Sequence, residues 1–350
     1  MKRSLIASIC FTGAALLGIG FGSMPARAED PVTIAVYAGV AADHWRKGVA
    51  EPFEAETGIP ARIYDPTIPA AAIAASAGQP DFQLGLVPGY SVADLIEKGK
   101  LEPIDPAHLP NLKAIPERLV PKAPDGKFYA VPVYFSFLGI AYNTDLAKAE
   151  DFKSWKSLVD PKWKGKFAIG TAPFIAAYDL TLFALLNGGN EKDITPGIPM
   201  LKEVIANAGT VYTSMATLEA QLSRGEVVFA PFYANQIILQ QRAGVKNIDI
   251  VRPDEGGLIL PYYLVIPKGA NNVANAEKLL NAILTPPYQG RLSEGGNWPV
   301  NPETKLPPEL ARELGGSTDE ALANNFQPDW YVVGTLRTDR THEVQDLMGQ

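Results

Sequence analysis

Cysteine is confined to one position, Cys10, inside the first 28 residues, so the rest of the chain can form no disulfide and offers no thiol nucleophile. Histidine is almost as scarce. His44, His108 and His342 lie far apart, and none sits in a metal-binding spacing such as H-E-x-x-H. No G-x-S-x-G elbow occurs either. Paired carboxylates for glycoside hydrolysis are the one enzymatic route left open, and the reading is of a chain that is not an enzyme and has no cofactor and no metal. Basic residues are in deficit, 31 against 38 acidic, with no basic stripe, which argues against nucleic-acid binding. After residue 28 no apolar run is long enough to cross a bilayer.

What the N-terminus does contain is a secretory leader. Lys2 and Arg3 open it, an apolar run follows over residues 5–21, and Ala26-Arg27-Ala28 forms a small-x-small cleavage site. Export with cleavage near Ala28 removes Cys10 and three cations, leaving 28 basic residues against the same 38 acidic ones and moving the net charge from −7 to −10. The remaining chain is ample for two hydrophobic cores.

Short β runs alternate with helices, the pattern of α/β layers. Strands are expected at 32–37, 61–64 and 82–87. Helices are expected at 44–57, weakened by Pro52, at 70–77 and at 90–98. A second α/β series runs from 167 to 251, including one helix over 173–186. Two apolar, aromatic segments break the rhythm, YAVPVYFSFLGIAYN at 129–143 and LILPYYLVIP at 258–267. They suit either the central strands of one large sheet or a pair of strands crossing between two lobes.

The segment SWKSLVDPKWKGKFAIG at 154–170 closely resembles the W-x-D-L-x-D-P-K-W-K-G-K signature of bacterial extracellular solute-binding proteins of ABC importers, nearest to the spermidine/putrescine-binding group. FEAETGI at 53–59, LGLVPGYSVADLIEKGKLEPID at 84–105, the 129–143 run, Gly225-Glu226-Val227, 253–267 and 296–301 are similar to that family in the same order. The resemblance implies a two-lobed α/β clamshell of type II, with two crossing strands at the hinge. Residues 29–135 would form one lobe, to which 263–305 return; 136–262 would form the other, with part of 306–350 packed on it. It also implies a periplasmic monomer that captures a small-molecule solute and delivers it to the permease subunits. A ferric-ion carrier of the same superfamily is the alternative, for which Tyr262-Tyr263 is the tempting pair. Adjacent strand residues point to opposite faces, so at most one would enter a cleft.

Carried over by position, the ligand contacts would be Tyr37 and Gly39 after the first strand, Gly89 and Tyr90 after the third, and Trp298 after the second long run. Tyr134, Phe135 and Ser136 would lie at the hinge. Thr171, Phe232, Tyr233, Asn235 and Tyr262 would come from the second lobe. Strand ends of this kind are where α/β sheets bind ligands, and aromatic groups give large contact area at low entropy cost. The acids with which polyamine binders hold ammonium groups are missing from Thr171-Ala172-Pro173 and from the Leu260-Pro261-Tyr262 stretch. Asp43 and Asp179 are possible acids near a cleft, although on helices such acids are more often solvated. Two ligand classes stay open: an anion at the helix start after Thr171, or a quaternary ammonium in an aromatic cage.

Overall fold

The computed structural model describes residues 30–349; the leader and its cleavage site lie outside the described residues. Eleven strands organise the described residues: β1 (Val32–Ala35), β2 (Ala61–Tyr64), β3 (Leu84–Pro88), β4 (Leu101–Glu102), β5 (Ala130–Asn143), β6 (Ala168–Ile169), β7 (Thr210–Val211), β8 (Phe229–Tyr233), β9 (Ile248–Val251), β10 (Leu258–Pro267) and β11 (Trp298–Pro299). The two long apolar runs form β5 and β10. They pair antiparallel from Leu258 opposite Leu138 to Val265 opposite Ala130, with a register shift between Tyr262 and Tyr263.

β5 changes neighbours along its length, and this makes the pair a crossing rather than a simple sheet centre. Its first half lies between β10 and β11. Its second half lies between β8, from Leu138 to Tyr142, and β9, from Ile140 to Asn143. The packing divides at the same place. Val131, Val133 and Phe135 join Val32, Ile34, Leu84 and Leu86 in one core. Leu138, Ile140 and Tyr142 join Phe167, Phe183 and Phe229 in another. All fourteen residues of β5 are buried, as a strand covered on both faces should be.

The first lobe is a doubly covered sheet in which β2, β1 and β3 run parallel and β3 pairs antiparallel with β10. Two helical expectations are revised. The 44–57 helix is interrupted by a π turn over Arg46–Ala50. Proline has no N–H, so Pro52 frees the carbonyl of Gly48, and that carbonyl accepts a 2.9 Å hydrogen bond from Arg291 Nε. The 173–186 helix is two helices, Ala172–Ala177 and Asp179–Leu186, broken at Tyr178 with φ −117° and ψ −67°.

The C-terminal helix, Trp330–Met348, spans the lobes, packing on the Gly89–Glu97 helix of the first and on Ala172–Ala177 of the second. Small residues let it approach. A Cβ on Gly334 would sit 2.4 Å from the Tyr90 carbonyl oxygen, and one on Gly89 would sit 2.9 Å from Trp330 Cγ. No helix among the described residues is long and apolar enough to cross a membrane.

Candidate functional site

The register of the crossing strands builds the centre of the site. Tyr262 lies opposite Tyr134 on one side and Pro88 on the other, so the residues following β3 are carried to the hinge. The Tyr134 and Tyr262 rings are 5.1 Å apart, and Tyr37, just beyond the end of β1, meets Tyr262 edge-on at 6.3 Å. From the other lobe Tyr178 stands edge-on to Tyr90 and to Tyr233, each at 5.5 Å, and to Trp330 at 5.8 Å. Tyr212 packs on Phe174 at 6.3 Å and on Phe232 at 6.0 Å. Edge-to-face contact sets the positive rim of one ring against the negative face of the next. The Tyr90–Tyr178 contact joins rings from the two lobes.

Burial pushes the phenols of Tyr37, Tyr178, Tyr233 and Tyr262 well above the ordinary tyrosine range, and neighbouring phenols add to it. Tyr90 is one of those neighbours for all four, which marks the rings as one electrostatic unit. Tyr134 and Tyr212 are also raised, by burial first.

A polar strip adjoins the rings. Ser136 Oγ accepts from the backbone N–H of Asn235 at 3.2 Å, and Asn235 Nδ2 donates to Asn297 Oδ1 at 3.1 Å, tying the second lobe to the loop before β11. Asn235 Oδ1 is buried with no hydrogen-bond partner among the described residues. A buried unpaired acceptor costs about 1–3 kcal/mol, so this amide is poised to receive a donor.

The sequence-expected residues separate into groups. Tyr37, Tyr90, Tyr134, Tyr233 and Tyr262 meet in the ring cluster, with Ser136 and Asn235 beside it. Phe135 lies on the opposite face of β5 from Tyr134, stacked on Trp298 at 5.9 Å with 9° between the planes. Phe232 is fully buried in the second core. The volume beside Gly89 is taken by Trp330 and Pro261. Gly39 has open space around it and is held at φ 83°, a conformation that favours glycine. Thr171 precedes the Ala172–Ala177 helix, but its side chain makes no capping bond. Tyr262 and Tyr263 do face opposite ways: the Tyr263 hydroxyl donates to the Leu119 carbonyl at 3.4 Å in a separate core.

Sequence reasoning missed Tyr178, Tyr212 and Trp330, and it misplaced Asp179. The structure corrects the last point. Asp179 is 6% exposed, and burial lifts its carboxyl to about 7. The signal was available in DLTLFALL, the segment it heads, which is apolar all round and so belongs in an interior.

A family model for bacterial extracellular solute-binding proteins matches residues 48–316. The chain is 25% identical over 321 residues to the spermidine/putrescine-binding periplasmic protein of Escherichia coli (strain K12), covering 89% of this chain and 87% of the relative. It is 27% identical over 234 residues to a putative 2-aminoethylphosphonate-binding periplasmic protein of Salmonella typhimurium (strain LT2), covering 64% and 67%. Its fold matches an ABC transporter substrate-binding protein from Bradyrhizobium japonicum USDA 110 with a TM-score of 0.77 at 20% identity, over 92% of this chain and all of that one. Crossing strands, two cores and an aromatic centre between them agree with these likenesses: the chain belongs to the bacterial extracellular solute-binding proteins.

Proposed function

We propose that the two lobes close on a small polar organic solute at the tyrosine cluster, and that the closed form docks on the permease. The observation that carries this reading is the pair of ring sets at the crossing, Tyr37–Tyr262–Tyr134 from the end of β1 and the crossing strands, and Tyr90–Tyr178–Tyr233, which joins the helix after β3 to the second lobe. In the same reading the protein works in the periplasm as a monomer after cleavage near Ala28, and it is a carrier rather than a catalyst. The lobe boundaries fall on the crossing strands, near residues 135 and 262. Polyamines are disfavoured as cargo, because Thr171-Ala172-Pro173 places no acid at the head of the second-lobe helix.

The test is a thermal-shift screen of polyamines, betaines, amino acids, opines, sugar acids and phosphonates against the mature protein. A true solute at about a hundred times its Kd adds roughly 2.7 kcal/mol to stability. A protein that responds to no member of any class would sink the reading.

A further inference from the structure

We propose that Arg242 and Glu313 form a latch that holds the two lobes together when the site is closed. It presupposes that the lobes open and close about the crossing strands, the motion proposed for solute capture. Arg242 ends the second-lobe helix Ala234–Arg242. Glu313 lies in the last turn of the Pro308–Leu314 helix, whose Leu310 and Leu314 belong to the first core. Arg242 Nε donates to Glu313 Oε1 at 3.2 Å and its Nη2 donates to Oε2 at 2.7 Å, a two-pronged pairing of planar groups. Each side chain is 32% exposed, so solvent screens the pair only in part. Other ion pairs stay within one lobe: Arg46–Asp43, Lys268–Glu102 and Arg291–Glu56 in the first, Lys162–Asp151 in the second.

The position of the pair gives it leverage. The Ala234–Arg242 helix lies across the division between the cores, with Ala234 and Ile238 packed in the first and Ile237 in the second. Its start is held at the hinge, where the Asn235 N–H donates to Ser136 on β5. Arg242 lies roughly 10 Å farther along the helix axis, at 1.5 Å per residue. Between these points the helix presses on the first lobe: a Cβ on Gly296 would sit 2.9 Å from Ile238 Cγ2. A contact beside the hinge survives a rotation of the lobes, whereas one at the far end of this helix is parted by it. Arg242 suits its own helix, because a cation is favoured at the C-terminal end. Glu313 does not suit its helix, since a carboxylate in the last turn meets the negative end of the dipole, and the guanidinium across the gap compensates it. A half-exposed pair contributes a small factor, and a small factor is enough to shift a balance between open and closed forms.

The test is an inter-lobe distance measurement on the solute-free mature protein by pulsed electron spin resonance. The chain after residue 28 has no cysteine, so spin labels go on Lys113→Cys and Lys202→Cys, exposed positions in the two lobes. Arg242→Gln, Glu313→Gln and the double variant remove charge and keep most of the shape, with cooperative melting as the check on folding. Each single variant should lower the ratio of short to long distances by roughly twofold to fivefold at low salt. The double variant should open no further than either single one, and about 1 M salt should bring wild type to the level of the variants. A wild-type distance distribution in either single variant, or a double variant that opens by the product of the two single effects, would overturn the inference. The solute panel separates the two levels. If a panel solute shortens the distances in wild type while the solute-free variants match wild type, closure stands and the latch falls. If charge removal, salt and every panel solute leave the distances unchanged, both fall.

Discussion

Replacing Asp179 by asparagine should stabilise the solute-free protein, and the gain should depend on pH in a stated direction. Burial raises the carboxyl to about 7 in the folded protein, against about 3.9 in an unfolded chain. Between those values the native state holds the proton and the unfolded state has released it. Stability from this group therefore falls as pH rises from about 4 to about 7 and stays low above that. Three pH units at about 1.36 kcal/mol each give an upper bound near 4 kcal/mol. The asparagine amide is itself buried without a partner, which returns about 1–3 kcal/mol. The expected net effect is a gain of about 1–3 kcal/mol at pH 8 and, because the amide cost is independent of pH and the wild-type carboxyl is already neutral at pH 4, a loss of about 1–3 kcal/mol there. At roughly 2 °C per kcal/mol for a chain of this size, calorimetry should show Asp179→Asn melting a few degrees higher at pH 8. Comparing variant with wild type cancels the other titrating groups. An unchanged or lower melting temperature at pH 8, or the same shift at both pH values, would refute the reasoning.

Tyr233 is packed among Phe174, Tyr178 and Phe232, so Tyr233→Ala should cost about 3–5 kcal/mol of stability and report on folding more than on binding. Tyr233→Phe keeps the ring. It should leave the melting temperature within about a degree while weakening the best panel solute by roughly threefold to tenfold; unchanged affinity would remove the hydroxyl from the site. Gly89→Ala puts a methyl 2.9 Å from Trp330 Cγ and 3.2 Å from Pro261 Cγ. It should cost about 1–3 kcal/mol by displacing the C-terminal helix. Gly39→Ala meets no atom but must hold φ 83°, for about 1–2 kcal/mol. Urea unfolding of both variants checks the pair, and a neutral Gly89→Ala would deny the close approach.

The crossing strands were legible in the sequence because a strand buried on both faces must be apolar at every position, and residues 129–143 and 258–267 have that character. Five of the clustered tyrosines were legible because they follow strand ends or lie on those crossing strands. Tyr178 was not, since 173–186 contains nothing after Pro173 that forbids a continuous helix, and the break is set by tertiary packing. The C-terminal helix was hidden for another reason. It faces two lobes at once, so its apolar residues do not gather into one stripe, and a single-face pattern search passes over it. Asp179 was misread through a rule that usually holds, that a lone helical acid is solvated. The rule gives way where the whole helix is apolar.

Asn235 bears on how the proposed closure would be controlled. Bringing the lobes together sets Tyr90 against Tyr178 and Asn235 against Asn297, gaining ring contacts and one hydrogen bond. The same movement would leave the Asn235 amide oxygen buried with no partner among the described residues. Closure around nothing would thus carry a penalty of about 1–3 kcal/mol, offsetting part of what the cross-lobe contacts return. A solute that supplies a donor to Asn235 would remove the penalty only in the closed form, and it is this difference in affinity between forms that moves the equilibrium. A molecule of the same size with no donor at that point would gain the ring contacts and leave the penalty in place. In the proposed cycle, discrimination at the permease would then follow from the hydrogen bond a solute gives Asn235, because the compensated complex is the one that stays closed long enough to dock.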